Sequence, residues 1–235
     1  MTARAWSGWG WRLPARVPCD GTLEGLKGLG LMAMTVDHVN TFLLASSWPA
    51  GFAFGRLAMP IFVIVLGINL ARPGGQTARY RRILSRLAVA GLLAMPFHVA
   101  LGGAIRGAWP LNILFTLALI TVVVWGLQGS RLQQAGAWVL LLVGGVLVEY
   151  FWIGVVLGVA AWRYARRPSF PAAALGLAAM AGLSGLNGNG WAWLALPLLA
   201  AATRLRLPIR RHRDVFYVYY PLHLAVLWAI RWLSA

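Results

Sequence analysis

LKGLGLMAMTVDHVNTFLLA, residues 26–45, is apolar enough to cross a bilayer yet carries Lys27, Asp37 and His38. A helix of ~20 residues spans the hydrocarbon core. A charge near its centre costs ~2.5–3.5 kcal/mol on insertion scales, so ionisable residues there face a polar interior and mark function. Lys27 and His38 are separated by three full helical turns plus ~20°, which puts them on one face with the imidazole ~16 Å deeper than the ammonium. Leu31 and Met34 lie between them on that face, while Asp37 points a quarter turn away, level with Asn40 and Thr41.

The rest of the chain matches this stretch. Of 235 residues, 60% are hydrophobic and 11% charged, the balance of an integral membrane protein whose core forms between helices in lipid. The fold class expected is all-α, a polytopic bundle of about nine transmembrane helices in one domain, residues 26–235, preceded by an interfacial arm at 1–25. That arm mixes Arg4, Arg12 and Arg16 with Trp6, Trp9 and Trp11, a combination suited to the headgroup region. Near its end Glu24 stands one turn before Lys27, close enough to pair with it. Cys19 is the single cysteine, which excludes an internal disulfide and any multi-cysteine metal site. No apolar h-region precedes it, so neither a cleaved signal peptide nor a lipoprotein anchor is expected.

Twenty-one Lys and Arg against five acids give a net charge of +16. These charges sit in short loops between apolar runs and not on one polar domain, so no nucleic-acid partner is expected. Their places set the topology. Spans are expected at about 26–45, 52–71, 84–104, 110–127, 135–148, 153–164, 169–186, 190–203 and 214–233. Glu149 breaks the apolar run between the fifth and sixth, and Arg56 stands inside the second with Pro60 four residues on. Arg72, Arg79, Arg81, Arg82 and Arg86 with no acid between them make one cytoplasmic cluster; Arg204, Arg206, Arg210, Arg211, His212 and Arg213 make another. By the positive-inside rule the N-terminus is then inside and the C-terminus outside. Membrane lipids are the first partners such a face implies.

Six pieces in order resemble the TraX family of pilin-acetylating membrane proteins from conjugation and pilus systems. They are LKGLGLMAMTVDHV at 26–39, GRLAMPIFVIVLGI at 55–68, RYRRILSRLAVAGLLAMPFH at 79–98, LNILFTLAL at 111–119, EYFWIGV at 149–155 and YPLHLAVL at 220–227. The first span is also similar, more distantly, to membrane acyltransferases of envelope sugars, in which a basic residue precedes a His by a fixed interval; here the pair is Lys27 and His38. The resemblance implies a bacterial inner-membrane, multi-pass acetyltransferase that moves acetyl from acetyl-CoA to the N-terminal amine of a pilin subunit. An acyltransferase acting on an envelope sugar or lipid is the nearest alternative. A transporter or pilus assembly factor, without enzymatic activity, is the alternative of another class.

Acyl transfer needs a base, a donor for the oxyanion and positive charge for the CoA phosphates. His38 is the candidate base, with Asp37 either orienting it or pairing Arg56, and His223, flanked by Tyr219 and Tyr220, completes the catalytic candidates together with Glu149. The competing reading makes Asp37, His38, Asn40 and Arg56 a satisfied network that only fixes helix packing. Lys27, Arg79, Arg82, Arg86 and Arg211 are the cofactor-binding candidates, for the phosphates of acetyl-CoA. His98, beside Pro96, is expected to satisfy backbone groups that the proline frees. GxSxG, Walker A and HExxH motifs are missing from the sequence, so hydrolase, ATPase and zinc-protease chemistry lack support, and no metal is expected.

Overall fold

The computed structural model describes residues 17–74, 76–210, 212 and 214–234. Among these the chain is helical throughout: α1 (Asp20–Phe42), α2 (Pro49–Gly55), α3 (Ala58–Ala71), α4 (Gln76–Ala100), α5 (Ile113–Gly126), α6 (Arg131–Leu147), α7 (Phe151–Arg166), α8 (Phe170–Asn187), a 3-10 turn (Trp191–Leu194), α9 (Ala195–Ala202) and α10 (Val215–Leu233). Two isolated β-bridges, Arg106 with Trp109 and Leu111 with Val148, are the extended pairings among the described residues. Three segments are long and apolar enough to cross a membrane, namely Pro49–Ala71, Thr77–Ala100 and Phe170–Asn187. Shorter apolar helices are Ile113–Gly126, Arg131–Leu147 and Trp191–Ala202. The protein is thus a helical one of membrane type. α1 is not among the three, because Lys27, Thr35, Asp37, His38 and Asn40 dilute its hydropathy.

The centre of the bundle is α3, α5 and α7. Ile61, Val63, Ile120, Val123, Val124 and Val155 are all fully enclosed there. Gly67 of α3 lies so close to α7 that a Cβ would meet the backbone nitrogen of Trp162 at 2.8 Å, the close approach that small residues permit between apolar helices. Outside this centre, α6 buries a single stripe, Ala137, Leu141 and Gly145, at the helical repeat. Its other faces expose Trp138, Val139, Leu142 and Val143, an apolar surface that water would not tolerate and lipid would.

Contacts between helix ends gather the basic segments at one end. Arg72 at the end of α3 pairs with Asp20 at the start of α1, and Arg86 in α4 pairs with Asp214 just before α10 at 3.1 Å. Gln128, after α5, donates to the Tyr80 hydroxyl of α4 and accepts from Arg166 of α7. The segment after α9 is tied to the same end: Thr22 donates to the Leu205 carbonyl at 2.9 Å, and a Cβ on Gly21 would collide with the Leu207 carbonyl.

Four boundaries differ from the sequence reading. α1 starts at Asp20, so the last residues of the expected arm at 1–25 are helical; positions 1–16 of that arm lie outside the described residues. α4 starts at Gln76 instead of 84, which makes the Arg79–Arg86 cluster a helical face and not a loop. Good helix formers without Gly or Pro run from Gln76 to Ala90. The expected second span is broken into α2 and α3, with Arg56 and Leu57 in the break. Pro60 explains it, since proline has no N–H to return to the Arg56 carbonyl and its ring crowds that group. The break expected at Glu149 is present but narrower, between Leu147 and Phe151, and both flanking helices are longer.

Candidate active site

α1 and α10 meet at two histidines. His38 Nδ1 lies 2.8 Å from His223 Nε2, and the two rings are nearly coplanar at 6°. His223 Nδ1 turns back to the Tyr219 carbonyl at 3.2 Å. One turn along each helix a second bridge braces the pair: the Tyr219 hydroxyl is 2.7 Å from Thr35 Oγ1, which donates to the Leu31 carbonyl. Since the Thr35 proton is committed to Leu31, Tyr219 is the donor. Tyr220, 1% exposed, meets the His223 ring edge-on, and Phe42 lies against His38.

A quarter turn from His38, Asp37 receives both of its close contacts from Arg56, each at 2.6 Å. Of the two roles anticipated for Asp37, this is the pairing with Arg56. The guanidinium also lies 4.5 Å over the Phe52 ring. Gly55 makes room for the carboxylate, because a Cβ there would stand 2.5 Å from Asp37 Oδ1. The helix break at Pro60 and the missing side chain at Gly55 together let Arg56 reach across to α1. Arg56 Nε is buried and meets no acceptor among the described residues; Asn40 Nδ2, nearby on α1, is in the same condition.

Glu149 enters this interior from the α6–α7 junction. Its backbone N–H donates to Leu111, and its carbonyl accepts from Thr116 at 2.8 Å. Tyr150 and Phe151 follow with φ of 61° and 49°, two consecutive residues in a region that side chains disfavour. Glu149 and Tyr150 lie within the electrostatic reach of Asp37 and Arg56, and Tyr220 within that of Glu149. Glu149 is half-buried. Asp37 and Arg56 link the catalytic candidates: His38 follows Asp37 in α1 and meets His223, and Glu149 lies within the electrostatic reach of both members of the ion pair. His98, 3% exposed, adds a third imidazole within reach of His38. Its ring lies against Gly103 and Pro110, not on the carbonyl that Pro96 frees, and its Nε2 meets no partner among the described residues.

At the basic end a cavity of about 840 Å³ opens between α1, α3, α4 and α10. Lys27, Arg72, Arg79, Arg82 and Arg86 line it, with Asn69 and Tyr217. Four of the five cofactor-binding candidates are here; Arg211 lies outside the described residues. They are not equivalent. Lys27 pairs with Glu24 at 2.5 Å, as their spacing suggested. Arg79 spends its guanidinium on the carbonyls of Arg72, Pro73 and Gly74, closing the end of α3. Arg82 is exposed and makes no salt bridge among the described residues. His38 is not among the residues that line this cavity. Phe62, seated on Gly30, meets Phe216 at 4.9 Å, and both rings line it.

The family model described as TraX protein matches residues 22–231. The chain belongs to the TraX family. It is 30% identical over 223 residues to Protein TraX of Escherichia coli, an alignment covering 88% of this chain and 86% of that protein. No solved structure matches. The matched residues of this TraX-family chain contain the whole convergent cluster, from His38 to His223, and every cationic residue of the cavity. What sequence reasoning missed were Gly55 and Thr35, whose roles exist only once α1, α2 and α10 are side by side.

Proposed function

We propose that this chain is a multi-pass, inner-membrane acetyltransferase of pilus biogenesis or conjugation, transferring acetyl from acetyl-CoA to the N-terminal amine of a pilin subunit. One juxtaposition carries the reading: a cationic cavity at one end of the bundle, on the same helix α1 as a part-buried histidine pair beside a half-buried ion pair. The cavity suits a phosphorylated donor. Arg82, Arg72 and Lys27 offer charge for its phosphates, and Phe62 and Phe216 are the side chains the thioester arm must move aside to reach His38. The amine nitrogen attacks the acetyl carbonyl, and His38 takes the proton that the nitrogen sheds. Arg56 Nε–H supplies a buried donor for the oxyanion. When the C–S bond breaks, the same proton goes to the leaving thiolate, so the products are an amide and free CoA. Glu149 receives the acceptor amine.

A lipid-borne acceptor draws on a different feature. An apolar groove of about 670 Å³ runs between α4 and α10 along Val89, Leu93, Phe97, Val218 and Leu222, and shares Arg86 and Tyr217 with the cavity. Mass spectrometry of the partner pilin from cells with and without this protein separates the two readings. An N-terminal gain of one acetyl group that depends on the protein supports the pilin acceptor. An unchanged pilin mass with acetylated envelope lipid supports the other.

A further inference from the structure

The hydrogen bonds around His223 fix more than a contact. A carbonyl oxygen accepts and never donates, so the 3.2 Å approach of His223 Nδ1 to the Tyr219 carbonyl puts the proton of that ring on Nδ1. A neutral imidazole has one N–H, so His223 Nε2 is bare and accepts. His38 Nδ1, 2.8 Å away, must then be the donor. It follows that His38 carries its proton on Nδ1 and leaves Nε2 with a free lone pair. Thr35 and Tyr219 hold the two helices in this register through a bridge whose donors are equally determined.

We propose that His223 is a positioning residue that holds His38 in the Nδ1–H tautomer, with Nε2 as the nitrogen that takes the proton from the acceptor. This rests on the acetyl-transfer reading for its catalytic meaning, but the tautomer itself belongs to the resting protein. His223 contributes a lone pair at one place, and it does so because the Tyr219 carbonyl occupies its only N–H. No proton leaves His223 in this scheme. During transfer His38 becomes doubly protonated, its Nδ1–H still donating to His223 Nε2, and it returns to neutral when Nε2–H goes to the thiolate. The arrangement differs from a pair of interchangeable bases, in which either ring takes up the proton. It also gives the α1–α10 contact a chemical polarity that a hydrophobic contact at the same place would lack.

The test uses the full chain in detergent micelles, labelled with nitrogen-15 at histidine. The chain has four histidines, and His98→Gln and His212→Gln variants assign two of them by loss of signal. Two-bond nitrogen–proton couplings then report which nitrogen of His38 is protonated. The expected result is a protonated Nδ1 and a bare Nε2. In His223→Leu, His38 should shift to the Nε2–H tautomer, and acetyl transfer should fall about 10–100-fold through kcat with KM little changed, the size typical of losing an orienting partner. His223→Gln places a carboxamide oxygen near the lost Nε2; it should keep the Nδ1–H tautomer and recover most of the rate. A bare Nδ1 on His38 in the wild type, or an unchanged tautomer in His223→Leu, overturns the proposal. Should the predicted tautomer appear in a chain that transfers no acetyl from acetyl-CoA, the pairing stands and the proposed function is what fails.

Discussion

Asp37 and Arg56 show how one residue's place can depend on another's absence. Taking both charges out of water is expensive, and only their mutual contact offsets it. Asp37→Ala leaves the guanidinium uncompensated, so unfolding in detergent should register a loss of about 3–5 kcal/mol. Replacing both residues together, Asp37→Leu with Arg56→Met, should restore most of that stability while acetyl transfer stays lost. If the double variant transfers acetyl normally, the pair serves helix packing alone. Gly55→Ala should behave like the single Asp37 variant, since its methyl group would occupy the carboxylate's position. Every participant was visible in the sequence as an oddity, namely a charge inside an apolar run, except Gly55. Glycine in a membrane helix is common, and nothing local distinguishes one that makes room for a carboxylate.

Between helices, the lesson lies in α4. Its arginines read in sequence as one cytoplasmic cluster, yet they divide by what their neighbours leave free. Arg79 is absorbed by three carbonyls at the end of α3, a C-terminal cap formed by a side chain from the next helix. Arg82, almost one turn further along α4, lines the cavity and makes no salt bridge among the described residues. Arg82→Glu should therefore weaken CoA binding about tenfold or more, the scale of a lost charge-assisted contact, without altering thermal stability. Arg79→Ala should lower stability as well, both read by binding and melting in detergent. Equal effects of the two on affinity alone would mean the cap does not matter. The helix ends were legible at Glu149, where an acid interrupts the apolar run, and not at Pro60, where a continuous span was expected and α2 and α3 are separate. They are not legible at the start of α4, where a run of arginines reads as a loop although arginine's helix propensity is high. The histidine pair was half legible: both residues stood out, but no sequence spacing relates α1 to α10, separated by most of the chain.

For the whole molecule, the charge asymmetry is the feature that orients the chain. Arg72, Arg82, Arg86, Arg166 and the segment after α9 share one end, which the positive-inside rule makes cytoplasmic. Under the proposed topology nine passes carry the chain from a cytoplasmic N-terminus to an external C-terminus, and reporter fusions after Arg79 and after Asn187 should give opposite sides. The same side for both would remove the nine-pass count. In the proposed function acetyl-CoA keeps its charged phosphates in water at the basic end, only the acetyl group reaches the histidines, and the acceptor approaches past Glu149. Everything in this arrangement converges on His38. The most direct measurement is acetyl transfer from acetyl-CoA by purified His38→Ala protein, with CoA binding and melting followed on the same sample. The account predicts a rate lowered by about 10²–10⁴, the range that a positioned base contributes, with binding and stability retained. A His38→Ala protein that transfers acetyl at the normal rate would contradict it.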